Sequence, residues 1–223
     1  MKRLSDGRLG DREMKRNQRK ETSPACKVRR VSQAEFPSHY GVFTIHGFEH
    51  TETGEPFVVL SCGDLAGDAE TAPLLRIHSQ CLTGDVLGSR RCDCGYQLQE
   101  SLRRIQKVGC GLLIYQLQEG RGIGILNKLK AYELQDRGLD TVEANEELGF
   151  EADLREYGDC AEILRFLGVG RVRLLSNNPG KVESLEQSGI RVEARIPLEM
   201  PPDGRSRKYL QTKKDKLGHL LDI

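Results

Sequence analysis

Three cysteines within fourteen residues, Cys81, Cys92 and Cys94, constrain this chain more than any other feature. They sit in Arg76-Ile-His-Ser-Gln-Cys81 and Arg91-Cys-Asp-Cys-Gly95, with a Thr83-Gly-Asp85 turn between the first and the other two. Thiolate is a soft ligand that suits zinc, and the intervening loop is long enough to fold Cys81 back onto a Cys-x-Cys pair. A structural zinc site closes with four protein ligands, whereas a catalytic one keeps three and leaves the fourth position to water. Three ligands in reach point to the open kind. The alternative is a closed, non-enzymatic zinc module that binds nucleic acid through a basic tail, in which His78, at His-x-x-Cys spacing, supplies the fourth ligand.

With 223 residues, 37% hydrophobic and 30% charged, the chain supports one sizeable core. It has no apolar run of the ~18 residues that a membrane span needs, and its charged start lacks the apolar core of a secretory signal. Seven cysteines, an odd number, fit a reducing compartment better than a disulfide framework. The expectation is a cytoplasmic protein with no membrane partner. Residues 1–30 hold eleven Lys or Arg against four Asp or Glu, a net of +7, so the remaining 193 must carry −6 to give the +1 of the whole chain. The expected division is a basic, disordered tail over residues 1–30 and a catalytic body over residues 31–223. An acidic body that binds a polyanion needs a local cluster of cations.

Gly41–Phe48 alternates like a half-buried strand, and Pro56–Leu60 reads as its antiparallel partner across a Glu-Thr-Gly-Glu turn. His46 and His50 beside that turn are expected at the surface. A third strand over Pro73–His78 runs into the cysteine segment. Leu98, Leu102 and Ile105 have helical spacing up to Gly109, and Gly111–Tyr115 is a short buried-strand run. Gln118-Glu-Gly-Arg-Gly-Ile-Gly124 then makes a glycine-rich turn before a helix over about 125–137, an arrangement suited to phosphate, although it matches neither G-x-G-x-x-G nor a P-loop. Asp140–Asn145 and Asp153–Arg155 read as polar loop. A helix over about 159–167 and a strand over Arg171–Leu175 follow. Asn178 and Pro179 are a natural N-cap and N1 residue, and Lys181 in that first turn opposes the helix dipole unless an anion binds there. A strand near Arg191–Ile196 and an amphipathic Tyr209–His219 complete a single α/β domain, with a mixed sheet covered by helices on both faces.

His78-Ser-x-Cys-Leu-Thr-Gly-Asp85, Arg91–Gly95, Gln118–Gly124, Asp140-Thr-Val-Glu-Ala-Asn145, Asn177-Asn-Pro179, Thr212-Lys213 and Leu217-Gly-His219 occur in that order. Together they resemble the GTP cyclohydrolase II family, which opens the imidazole ring of GTP at the start of riboflavin synthesis. The resemblance covers about residues 35–220. It implies one zinc on Cys81, Cys92 and Cys94, with water activated against guanine C8. It also implies Mg²⁺ on the GTP triphosphate, and release of formate and pyrophosphate to leave 2,5-diamino-6-ribosylamino-4(3H)-pyrimidinone 5′-phosphate. GTP contacts carried over are Arg76, Ile77, His78, Ser79, Gln80, Gln97, Glu119, Gly120, Arg121, Thr141, Ser176 and Lys181. Gln97 and Glu119 have the groups to read a guanine edge, while Arg76, Arg121 and Lys181 supply the local cations. Asp153 matches the family's proton acceptor, Arg155 its proposed nucleophile at the α-phosphorus, and Tyr132 a tyrosine near the metal-bound ring. A guanidinium lacks the lone pair of a nucleophile, so clamping phosphate charge is the expectation for Arg155. The family further implies a homodimer, and nucleic acid is not an expected partner. Gln80, Leu117 and Ser176 stand where relatives commonly have Glu, Arg and Thr. A paralogue that stops at a formylated product is the competing enzymatic reading.

Overall fold

The structure is a computed structural model and describes residues 27–66, 70–199 and 207–222. Seven strands form one sheet: β1 (Val28–Ser38), β2 (Gly41–His50), β3 (Pro56–Cys62), β4 (Leu74–Ser79), β5 (Gly111–Gln116), β6 (Arg171–Leu175) and β7 (Arg191–Ile196). Their order is β1-β2-β3-β5-β4-β6-β7. The pairs β1–β2, β2–β3 and β3–β5 are antiparallel, whereas β5–β4, β4–β6 and β6–β7 are parallel. The expected mixed sheet is therefore an antiparallel hairpin half joined at β5 to a parallel half.

Helices are α1 (Leu82–Asp85), α2 (Cys94–Val108), α3 (Gly124–Asp136), α4 (Thr141–Glu147), α5 (Gly158–Phe166), α6 (Pro179–Gln187) and α7 (Arg207–Leu217), with a 3₁₀ turn at Glu119–Gly122. One face of the sheet packs Phe48, Phe57, Ile77 and Ile114 under Ile163 and Leu164 of α5 and Leu185 of α6. The other packs Phe43, Leu74 and Leu113 under Leu102 and Ile105 of α2. The central strand β5 is covered on both sides, which explains its continuous apolar run. Gly109 ends α2 in the left-handed region (φ 76°), closing the helix as its position after Val108 leads one to expect.

Four sequence expectations need adjustment. β1 starts at Val28, inside the stretch assigned to the tail, because Val28 is buried in the core; the rest of the expected tail, residues 1–26, lies outside the described residues. His46 and His50 are buried, not superficial. His46 Nε2 is 2.8 Å from Ser61 Oγ across the β2–β3 pair, and burial, with Arg30 nearby, lowers its pKa. His50 Nδ1 accepts the backbone N–H groups of Glu52 and Thr53 at 3.2 and 3.1 Å and so stitches the turn. Asp140–Asn145 opens a helix where a loop was expected: Asp140 accepts from Val142 N and Glu143 N while Glu143 accepts from Asp140 N, a capping box.

Candidate active site

The parallel half of the sheet sends its strand ends to one edge, where open α/β sheets place their sites. β4 runs out at Ser79 beside Gln116 of β5, and β6 runs out at Leu175 into Ser176. Beyond those ends lie the cysteine segment, the glycine-rich turn and the start of α6, all lining one pocket.

The ligand atoms of Cys81, Cys92 and Cys94 lie within 4.8 Å of one another, and Cys81 Sγ is 3.7 Å from Cys92 Sγ. They form the one cluster of metal-suited His, Cys, Asp or Glu side chains among the described residues. His78 stands apart from it. Its Nε2 is 3.0 and 3.2 Å from the two carboxylate oxygens of Asp85, its Nδ1 is 3.4 Å from Arg76 Nη2, and its ring stacks on Tyr115. The closed zinc module with His78 as fourth ligand is therefore not what the fold builds. Asp85 Oδ2 also accepts the N–H of Cys81 at 3.0 Å and the hydroxyl of Tyr115 at 2.8 Å, fixing the first cysteine from behind.

Without a cation the three sulfurs compete for charge. Hydrogen bonds from Cys92 and Cys94, with the Lys128 ammonium, hold the Cys81 thiol far below its ordinary pKa. The same bond to Cys81 pushes Cys92 up to about 11, and Cys94 is raised well above its ordinary value by Cys81 and Cys92. A soft divalent cation relieves that competition by letting all three ionise together. The backbone leaves room for it: a Cβ on Gly84 would lie 2.8 Å from Cys92 Sγ and 3.1 Å from Cys81 Sγ. The donor set thus fits zinc. Gly84→Ala is expected to weaken zinc binding at least about tenfold, as second-shell disturbance of a metal site does; competition with a chromogenic chelator measures it.

Lys128, which the sequence reading missed, places Nζ 3.1 Å from Cys81 Sγ and 2.7 Å from Glu119 Oε1. The available signal was its position four residues before Tyr132, one turn away on the same helix face. Tyr132 lines the same pocket as the cysteines, with its hydroxyl 3.1 Å from Thr83 Oγ1.

The cations form a second cluster. Arg76 donates from Nη1 to Leu175 O at 3.0 Å and from Nη2 to Gln97 Oε1 at 2.7 Å, while its buried Nε has no partner among the described residues. Arg121 is the one non-glycine among the described residues with positive φ (63°), and its buried Nη2 is likewise unpaired. That conformation, flanked by Gly120 and Gly122, turns the side chain back into the pocket. Lys181 Nζ donates to Ile77 O at 2.8 Å, and burial followed by repulsion from Arg76 and Arg155 drives its pKa well down. Arg155 grips both oxygens of Asp153 at 2.8 and 2.5 Å. Burial opposes its charge, yet the bond to Asp153 prevails and raises its pKa. The Asp153 carboxyl is held below its usual value by that same pairing against the opposing effect of burial. Buried donors without partners, crowded by like charges, are what an anion completes.

Other expected contacts take different parts. Gln97 spends its amide inside the protein, accepting from Arg76 and donating to Asp93 Oδ2 at 2.5 Å. Glu119 accepts from Leu82 N at 2.7 Å, Gly120 N at 3.0 Å and Lys128. Ile77 packs its side chain in the core and brings only its carbonyl. Ser79, Gln80, Gly120, Thr141 and Ser176 line the pocket, whereas Asp153 reaches it through Arg155. Asn145, Lys213 and His219 line it too, and the buried Asn145 Nδ2 has no partner among the described residues.

Comparison with known proteins gives consistent matches. The sequence model of the GTP cyclohydrolase II family matches residues 29–197. A GTP cyclohydrolase-2 of Shewanella amazonensis is 52% identical over 195 residues, covering 87% of this chain and 94% of that protein. The GTP cyclohydrolase-2 of Tolumonas auensis is 54% identical over 191 residues, covering 86% and 96%. A riboflavin biosynthesis protein of Vibrio vulnificus is 49% identical over 209 residues, covering 94% of this chain and 56% of its own length.

Proposed function

We infer that this chain, which belongs to the GTP cyclohydrolase II family and is an enzyme of that activity, opens the guanine imidazole ring of GTP with zinc on Cys81, Cys92 and Cys94. Formate and pyrophosphate leave, and the diaminopyrimidinone nucleotide remains, placing the chain in riboflavin biosynthesis. The observation that carries this reading is the juxtaposition of a three-thiol cluster and a chamber of underpaired cations in one pocket. When bound, zinc supplies a Lewis acid that makes water nucleophilic near neutral pH, which is what attack on C8 requires.

The chain's own residues divide the remaining work. Asp85 fixes the Cys81 amide, Glu119 fixes the Leu82 amide, and Lys128 balances the charge of the Cys81 sulfur. Burial raises the pKa of Tyr132, so its hydroxyl stays protonated and available as a hydrogen-bond donor beside the ring. Arg76, Arg121, Arg155 and Lys181 bind the triphosphate, with Mg²⁺ assigned to the phosphate oxygens. Gln97 and Glu119, committed to internal bonds, serve as braces in place of the base reading expected from sequence. Asp153 orients Arg155 and would act as proton acceptor only after parting from it. The guanidinium keeps its proton, which supports a clamp on the departing pyrophosphate.

Among the described residues no helix is long and apolar enough to cross a membrane. We extend the family's homodimer to this chain, to be checked by light scattering.

The test is product analysis. Zinc-loaded protein with GTP and Mg²⁺ is expected to release formate and pyrophosphate in equal amounts. A formamide-bearing product with no formate would show a reaction that stops early and overturn the full conversion.

A further inference from the structure

Thr212-Lys213 and Leu217-Gly-His219 have no part in the chemistry above, yet Lys213, Leu217 and His219 line the same pocket. The helix that carries them, α7, is tied to the cysteine turn by Lys213 Nζ, 2.8 Å from Asp93 Oδ1. Lys216 ties it to Asp140 and, at 2.9 Å, to Glu143 at the start of α4. Past its end the chain turns at Gly218 (φ 64°), the N–H of His219 donates to Lys213 O at 3.0 Å, and that of Leu220 to Asn177 O at 2.9 Å. These bonds hold His219 on the pocket wall, half-buried, with its imidazole in no hydrogen bond among the described residues. Lys213 from α7, Arg155 from the loop before α5, Lys181 from α6 and Arg121 from the 3₁₀ turn line the same pocket and oppose a charge on its ring. Burial and those four cations push its pKa down to about 3.

Two of these cations already hold carboxylates, Arg155 on Asp153 and Lys213 on Asp93, while Arg121 Nη2 and the neutral His219 ring are left for an anion with several acceptor oxygens. We propose that His219, carried into the pocket lining just past the end of α7, is a ligand of the nucleotide's polyphosphate. The proposal rests on reading this pocket as the GTP site. Phosphate oxygens entering the chamber reverse the field at the ring, so the imidazole takes up a proton and donates from both nitrogens. A site of permanently charged groups alone takes up none. The sign follows: the ring's pKa is low in the free protein and higher in the complex, so affinity grows as pH falls below the complex's value. The gain is at most about tenfold per pH unit for one titrating group.

The experiment is calorimetric titration of the full, zinc-loaded chain with inorganic tripolyphosphate, then GTP and guanosine, in buffers of different ionisation enthalpy at about pH 6 and about pH 8. Wild-type protein is compared with H219Q and H219F. Neither substitution removes a side-chain hydrogen bond, and a melting scan checks the fold. Lys181 and the phosphates titrate in all three proteins, so the proton count is read as a difference from wild type. Relative to wild type, H219Q is expected to take up less proton on tripolyphosphate binding at the lower pH, by up to about one per site. It should also lose roughly tenfold of the affinity that wild type gains between the two pH values. H219F should bind tripolyphosphate more weakly at both, with guanosine unaffected in each variant. Wild-type proton uptake in H219Q, or an equal loss of guanosine and tripolyphosphate binding, overturns the proposal. Tripolyphosphate carries no base, so His219-dependent uptake without GTP ring opening would sink the reaction and leave this ligand standing. Normal ring opening with His219-independent uptake does the reverse.

Discussion

Cys92→Ser is expected to abolish stable zinc binding and to cut GTP turnover by about a thousandfold or more. The Cys92 sulfur sits 3.7 Å from Cys81 and within 4.8 Å of both partners, so it is a full member of the cluster. Serine substitutes a hard, protonated hydroxyl for a soft thiolate, leaving two sulfurs where an open catalytic zinc site needs three protein ligands. Lewis-acid stabilisation of a transition state is worth several kcal/mol, and each ~1.4 kcal/mol is a factor of ten in rate. Elemental analysis gives the metal content and formate release the rate. Zinc-free protein that turns over normally would refute the assignment of the chemistry to this cluster. Metal affinity should also fall in acid, because protons compete with the cation for all three sulfurs.

The second large effect is expected at Arg155. Arg155→Ala removes a buried guanidinium and strands the Asp153 carboxylate in a chamber built for anions, so both charge balance and repulsion turn against the triphosphate. A loss of about a hundredfold to a thousandfold in kcat follows if the guanidinium stabilises charge developing on the leaving pyrophosphate. Arg155→Lys keeps the charge but not the two-pronged grip on Asp153, and should retain part of the pyrophosphate release. If the lysine variant opens the ring and binds GTP as before yet releases no pyrophosphate at all, a covalent role for Arg155 replaces the clamp. Formate and pyrophosphate measured separately distinguish the two.

Much of this was legible in the residues because local patterns carried it. Cys-x-Cys with a third cysteine eleven residues upstream of Cys92 leaves few geometric options, and the structure closes that loop as expected. Asn178-Pro179 announces a helix start, and Asn178 does accept the N–H of Gly180 at 2.9 Å. His46 and His50 were misplaced because whether the hairpin is covered depends on α5, more than a hundred residues later. The capping box at Asp140 and Glu143 was present in the sequence, but its helix is only Thr141–Glu147, too short to show a periodic face. Gln97 and Glu119 show a different limit. Their residue types are suited to reading a base, but which partner uses each donor and acceptor is decided by Arg76, Asp93 and Lys128 from distant elements. Lys128 and His219 come to the pocket only through the folded chain, which brings their neighbours near.

The salt bridge between Asp93 and Lys213 has a consequence for biosynthesis. It joins residues 120 apart, one inside the cysteine turn and the other close to the carboxy terminus. At about 5–20 residues per second, a ribosome delivers Lys213 roughly 6–24 s after Asp93. Through that interval the three thiols are already synthesised while the helix that braces their turn is not. Metal captured early therefore meets an unfinished site, and the final geometry is set only when the last helix docks.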